Sequence, residues 1–394
     1  MTRAAMSLVT KALVMGWTLY AGRLAEGKPM PMGNHNINRR AVAKGRLIRK
    51  ILRLDHARAV KIRAPIDGAL KFDQRDWTSE ETLLKALGCL PHMQGHIAQL
   101  LFDTPSRSVY EFAEGSVLED KRPSGERLYR RQLDGIERLF GLIVSVRRAD
   151  LPAPSRPLPS SATEFLRNQA NFTLHEVYES DRFRRYRALF EELGVLPDRV
   201  REYVQGLPEL HNRPLAFVHG DLHRRNVVVG PGGSGVVLLD WELACFADPL
   251  YELATHLWLM NYPASQRPEV IKRWKRAVSG VNREFTRGAD ADLPVYEGYK
   301  RVQSLITDVI RGAERLEKGE GALDRDAHTV VRLMREAPME LALSRLPSHD
   351  EVVRIYREWA DPTTSRWWKT GKSPVHLLTK MKGVPGESAV PALA

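Results

Sequence analysis

The segment His219-Gly220-Asp221-Leu222-His223-Arg224-Arg225-Asn226 sets a carboxylate five positions before an amide, and Asp240 follows fourteen residues after Asn226. Phosphoryl transfer needs one carboxylate to take the proton of an attacking hydroxyl, plus a small set of oxygen ligands for Mg2+. Mg2+ takes few protein ligands and fills its shell with waters and phosphate oxygens, so Asn226 and Asp240 would suffice to hold it. Asp221 then remains as the candidate catalytic base. Asp and Asn in loops are ordinarily turn formers, and an HGD tripeptide alone is common. Four elements in the required order carry the reading here: HGD, Asn226, a strand-turn-strand and Asp240.

The flanking residues are suited to positioning these groups. Val227 to Val229 is a β-branched run, the stretch from Gly230 to Gly235 sustains neither strand nor helix, and Val236 to Leu239 is a second apolar run. This predicts a hairpin that brings Asn226 and Asp240 together at one end.

HGDLHRRN, followed by Leu238-Leu239-Asp240-Trp241-Glu242 and by Ala247-Asp248-Pro249-Leu250-Tyr251-Glu252-Leu253-Ala254, resembles the aminoglycoside phosphotransferase and choline kinase family. The resemblance implies an α+β, bilobal protein-kinase-like fold with a small β-rich N-lobe and a large, mostly helical C-lobe. It also implies ATP and Mg2+ as cofactors and a small-molecule hydroxyl as acceptor. By resemblance Asp221 is the base, Asn226 and Asp240 are magnesium ligands, and His219 and His223 support the loop. Glu252 departs from the pattern, which often has Asp there.

The nucleotide side is expected upstream. Met32 to Asn38 is a Gly- and Asn-rich turn, and Gly33, Asn34 and Asn36 are candidates to approach the phosphates. Ala59-Val60-Lys61-Ile62-Arg63 alternates like a strand, and Lys61 is preferred over Lys71 as the phosphate-binding lysine. The helix opening at Ser79 offers Glu80 or Glu81 as that lysine's partner. Glu80 is preferred because its i+4 and i+7 positions are Leu84 and Leu87. Ser108 to Gly115 resembles the hinge between lobes, with Glu111 and Phe112 near the adenine.

The expected organisation is a helical extension over 1–29, an N-lobe over 30–115, a C-lobe over 116–368 and a disordered tail over 369–394. A Pro/Ser-rich connector runs from Leu151 to Ser161. Only Cys89 and Cys245 are present, which excludes a disulfide scaffold and fits a reducing cytoplasm. Arg3 and the apolar residues from Leu8 superficially resemble a signal peptide, but Lys11 interrupts them. An amphipathic first helix packed on the N-lobe is expected instead, and neither a membrane partner nor a membrane span is expected.

The net charge is +12, and residues 1–160 alone hold 27 basic against 16 acidic side chains, a net +11. Without an interleaved aromatic pattern or a nucleic-acid module, this charge reads as attraction for a nucleotide rather than for nucleic acid. Asp290, Asp292, Glu297, Glu314, Glu317 and Glu320 would suit a cationic acceptor. They alternate with Arg and Lys, however, and are expected to pair on helix faces, so a neutral or anionic acceptor stays equally open. The resemblance points first to inactivation of an aminoglycoside or nucleoside antibiotic. A metabolic kinase for an amino alcohol, sugar or nucleoside is the alternative, and a non-catalytic nucleotide-binding scaffold comes last.

Overall fold

The computed structural model describes residues 10–19, 36–66, 74–104, 106–175, 180–233, 235–319, 321–343 and 345–361. Gly33, Asn34, Lys71, Glu320 and the tail from 369 lie outside them. The chain divides into two compact units, one comprising residues 1–173 with 204–300, the other 174–203 with 301–394.

The first unit opens with helix α1 (10–19) and the strand β1 (Asn36–Ala43). Helix α2 (Arg46–Ile51) links β1 to strand β2 (Arg58–Pro65). With β3 (Leu100–Thr104) and β4 (Arg107–Glu111) they form an antiparallel sheet of order β1-β2-β4-β3. Strand alternation sends Val60 and Ile62 of β2 into one core with Ala41, Ala43, Leu52, Leu54 and Val109, and Val14 of α1 closes that core. The helix expected at the N-terminus is therefore present over 10–19 and packs on the sheet.

Helix α3 (Glu80–Gly88) begins where Ser79 Oγ accepts a hydrogen bond from Thr82 N, and buries Leu83, Leu84 and Leu87. The short β5 (Ser116–Val117) and α4 (Leu118–Lys121) lead into α5 (Arg130–Val144) and α6 (Ala162–Leu174). After α7 (Arg187–Glu192) and α8 (Pro197–Gln205), two small antiparallel sheets carry the chemistry-bearing segment. In one, β6 (Ala216–Val218) pairs with β9 (Cys245–Ala247). In the other, β7 (Val227–Val229) pairs with β8 (Val236–Leu238), and β5 joins at its edge. The hairpin predicted from the two apolar runs is thus present, with Val227 opposite Leu238.

Helices α9 (Pro249–Met260), α10 (Arg267–Ser279) and α11 (Ala289–Glu317) follow, then α12 (Leu323–Glu336), α13 (Pro338–Leu341) and α14 (His349–Ala360). In the second unit, Tyr186 stacks on Trp359 at 5.6 Å and Tyr356 donates to the Val309 carbonyl. Among the described residues no helix is long and apolar enough to cross a membrane.

Candidate active site

Strand β6 delivers His219, Gly220 and Asp221, and the buried Glu252 of α9 fixes the turn they make. One oxygen, Glu252 Oε2, accepts from both His219 N (2.6 Å) and Gly220 N (2.8 Å). Gly220 has φ +75°, and a Cβ there would lie 2.6 Å from the Leu243 carbonyl oxygen, so the turn needs glycine twice over. Burial pushes the Glu252 carboxyl up to about 7, against the pull of the two amides.

Asn226 Nδ2 donates to both the carbonyl and Oδ2 of Asp221, each at 3.0 Å. That holds the carboxylate in one rotamer and leaves the amide oxygen of Asn226 for another partner. His219 Nδ1 accepts from Asp221 N, so its Nε2 carries the proton and donates to the Leu239 carbonyl. Burial lowers the His219 pKa to about 4, leaving the ring neutral. His223 accepts from Arg225 N through Nδ1 and turns Nε2 to Asp221 at 3.4 Å. Burial alone would raise the Asp221 carboxyl, but His223, with His219 and Lys300 adding to it, holds Asp221 below the usual carboxylate range.

Arg224, three residues beyond Asp221, is almost wholly buried. Its guanidinium donates to the carbonyls of Met260, Arg122 and Glu126, stapling the loop to neighbouring segments. His256 of α9 works from beneath, bonding the Leu222 carbonyl through Nδ1 and the Tyr262 hydroxyl through Nε2.

At the far end of the hairpin, Leu239 N donates to the Asn226 carbonyl at 2.8 Å, so Asp240 emerges beside Asn226. Asp240 has φ +64°, a left-handed conformation that costs a non-glycine residue strain, less for Asp than for most residues. Its Oδ1 is buried without a hydrogen-bond partner, and burial together with the Glu242 charge raises its pKa. A buried carboxylate oxygen that accepts no hydrogen bond, beside the Asn226 amide oxygen, fits a hard cation such as Mg2+.

Strand β2 supplies the positive charge. Lys61 and Arg63 are two residues apart and so share a face. Arg63 pairs with Glu80, lies 3.2 Å from Glu242 and reaches Asp240 at 3.6 Å. Glu80 also accepts from Trp241 N at 2.7 Å, joining α3 to the Asp240 segment. The expected pairing of Glu80 with Lys61 is therefore corrected: Arg63 holds Glu80. The first turn of α3 meets β2 at Arg63, and a guanidinium fork can serve Glu80 and Glu242 together, which a single ammonium cannot do as well. Glu81 instead accepts from Ser79, Ser108 and Tyr110. Burial and the neighbouring Arg63 lower the Lys61 pKa to about 8, while Asp240 and Glu242 pull the other way.

The remaining candidates are placed as follows. Asn36 opens β1 opposite Pro65. Glu111 pairs with Arg58 at 3.0 Å and spends its N–H on the Gln99 carbonyl. The Phe112 ring lies 5.0 Å from the Arg40 guanidinium. Sequence reasoning passed over Arg63, Arg224, Glu242 and His256. Only Arg63 carried a signal, its two-residue step from Lys61 along a predicted strand.

The carboxylates that would suit a cationic acceptor are largely engaged. Asp290 pairs with Lys275, Asp292 with Arg213, Glu297 with Arg267 and Glu317 with Arg185.

No curated protein matches the chain. Among solved structures it is similar to an ethanolamine kinase from Plasmodium vivax, at 13% identity over 88% of this chain and 86% of that one, TM-score 0.49. A choline kinase from Streptococcus pneumoniae shares 15% identity over 84% and 99% of the two chains, TM-score 0.47. A macrolide 2'-phosphotransferase shares 14% over 84% and 98%, TM-score 0.44. A family model, that of the phosphotransferase enzyme family, matches residues 70–289, a span holding Glu80, Asp221, Asn226, Asp240 and Glu252. With that match over more than half its length, the chain belongs to the phosphotransferase enzyme family.

Proposed function

We propose that the protein transfers the γ-phosphoryl group of ATP, with Mg2+, to a hydroxyl of a small molecule. The observation that carries this reading is the convergence of three side chains. Asn226 clamps the Asp221 carboxylate at 3.0 Å, and Asp240, pinned beside Asn226, offers a buried carboxylate oxygen that accepts no hydrogen bond and faces the Arg63 guanidinium at 3.6 Å.

In the proposed reaction the acceptor oxygen forms its bond to the γ-phosphorus as the bond to the β-phosphate bridging oxygen breaks. Asp221 Oδ takes the hydroxyl proton, and ADP leaves. Asp221 suits that role because His223, His219 and Lys300 together keep it ionised while Asn226 fixes its direction. Asn226 and Asp240 would hold Mg2+, which when bound neutralises charge on the phosphate oxygens. Lys61 and Arg63 present positive charge on one face of β2, where the non-reacting phosphates would be steadied. Glu80 orients Arg63. Gly33, Asn34, Asn36, Glu111 and Phe112 remain candidates for contacts to the nucleotide.

For the acceptor, an antibiotic hydroxyl is the first reading, and an amino alcohol, sugar or nucleoside metabolite the second. The pairing of Asp290, Asp292, Glu297 and Glu317 with basic partners favours an acceptor of low positive charge, at the nucleoside end of that range rather than the polycationic end. An ADP-release screen over hydroxylated antibiotics and metabolites, run beside Asp221→Ala and a drug-sensitivity assay of an expressing host, tests this. Turnover that survives in Asp221→Ala refutes the assignment, and no turnover with any acceptor favours the scaffold.

A further inference from the structure

Far along the sequence from Asp221, the second unit holds a cluster that the phosphotransferase reading does not use. Asp324 and His328 lie one turn apart on α12, and His349 is the first residue of α14. One ligand atom from each lies within 4.8 Å of the others. The imidazoles face each other with ring centroids 4.0 Å apart. His349 Nε2 is 3.1 Å from Asp324 Oδ1, and a ring nitrogen of His328 is 3.6 Å from Oδ2 of the same carboxylate.

We propose that Asp324, His328 and His349 form a binding site for a zinc-class transition-metal ion that braces α12 against α14. Two imidazoles and a carboxylate are the donor set such ions take, whereas Mg2+ prefers oxygen alone. Two ligands of a tetrahedral zinc lie about 3.3 Å apart, so rotamer adjustments of about 1 Å would close this cluster. Asp350 supplies the support that zinc-bound histidines characteristically have. Its Oδ1 is 3.2 Å from His349 Nδ1, so it can hold that nitrogen as the donor while Nε2, which lies 3.3 Å from the Asp324 carbonyl and 3.1 Å from its carboxylate, gives up its proton to take the metal. Carboxylates are also what this location requires, because the first turns of α12 and α14 present positive helix ends that disfavour a bare cation. The cluster is open to solvent, with His328 67% and Asp324 82% exposed, so water can complete the coordination.

The full-length protein, stripped with a chelator, is titrated with ZnCl2 by calorimetry and melted with and without zinc. The expected result is saturable one-to-one binding that excess MgCl2 does not displace, with a higher Tm in zinc. His328→Ala and His349→Ala should each weaken binding by at least about tenfold, and Asp350→Asn by about tenfold. The Tm gain should vanish in the double histidine variant. These side chains lie outside the hydrophobic core, and circular dichroism checks that the variants fold. Absence of saturable binding, or wild-type affinity in the double histidine variant, overturns the site and marks any zinc uptake as adventitious.

Discussion

Glu252→Gln isolates the carboxylate that holds the HGD turn from beneath. The wild-type side chain is about 1% exposed, and its Oε2 satisfies two backbone amides while Oε1 has no hydrogen-bond partner. Burial raises its pKa from 4.5 to about 7. An unfolded chain therefore releases this proton from about pH 4.5 upward, while the folded chain keeps it until about pH 7. Between those values the folded state binds more protons than the unfolded state, so stability from this group is complete below about pH 4.5. It is lost as pH rises through about 7. At about 1.4 kcal/mol per pKa unit, the loss amounts to about 3 kcal/mol.

Glutamine has no proton to lose, and its amide oxygen can still accept from His219 N and Gly220 N. The stability of Glu252→Gln minus that of the wild type should therefore grow by about 3 kcal/mol between about pH 5 and pH 8, in favour of the variant. Urea unfolding followed by tryptophan fluorescence at several pH values measures it. Taking the difference between the two proteins cancels every other titrating group. A difference that stays flat across this range would refute the assignment of a protonated, buried Glu252. Glu252→Ala, which leaves both amides unanswered, should instead lose about 2–5 kcal/mol with little pH dependence.

Asp221→Asn should lower turnover by about 10²- to 10⁴-fold while nucleotide affinity stays within a few-fold, read by steady-state kinetics beside a binding titration. Arg63→Ala removes the ion-pair partner of the buried Glu80, leaving Glu242 to Arg75, and should cost about 3–5 kcal/mol by chemical denaturation, with part recovered in the double variant Arg63→Met/Glu80→Gln. Gly220→Ala forces a Cβ against the Leu243 carbonyl at φ +75° and should cost about 1–3 kcal/mol. Because it moves Asp221, its activity loss should exceed what the stability change explains.

The catalytic segment was legible because its constraints are local. The Val227–Val229 and Val236–Leu238 runs with glycines between them leave only a hairpin, and hairpin pairing fixes where Asn226 and Asp240 sit. The helix at Glu80 was likewise announced by Ser79 and the Leu83, Leu84, Leu87 stripe. What escaped depended on contacts between segments distant in sequence. Arg63 meets Glu242 across 179 positions, and Arg224 meets Glu126 across 98. Nothing local distinguishes a buried arginine of this kind from the many solvated ones in so basic a chain. The expectation that Lys61 would be the partner of Glu80, with Arg63 not considered, failed for the same reason. Both lie on one face of β2, and which one α3 meets is set by how helix and sheet pack.

That packing leaves Lys61 in an unusual position. Arg63 already engages Glu80 and Glu242 and lies nearest Asp240, so Lys61 feels those carboxylates only at a distance while burial and Arg63 act against its charge. An ammonium lowered to about 8 is one whose neutralising partner has yet to arrive. A polyphosphate would be such a partner, and on binding it should raise the pKa again. Nucleotide binding would then take up a proton above about pH 8, and affinity should fall with rising pH, approaching about tenfold per unit until the bound-state pKa is reached. Lys61→Met should bind ADP more weakly at neutral pH and lose this pH dependence, since the remaining cations on that face are guanidinium groups that stay charged throughout. Calorimetric titration of ADP at about pH 7, 8 and 9 with both proteins measures the effect. A slope that persists in Lys61→Met would move the role to another group, and a flat wild-type profile would place Lys61 away from the phosphates.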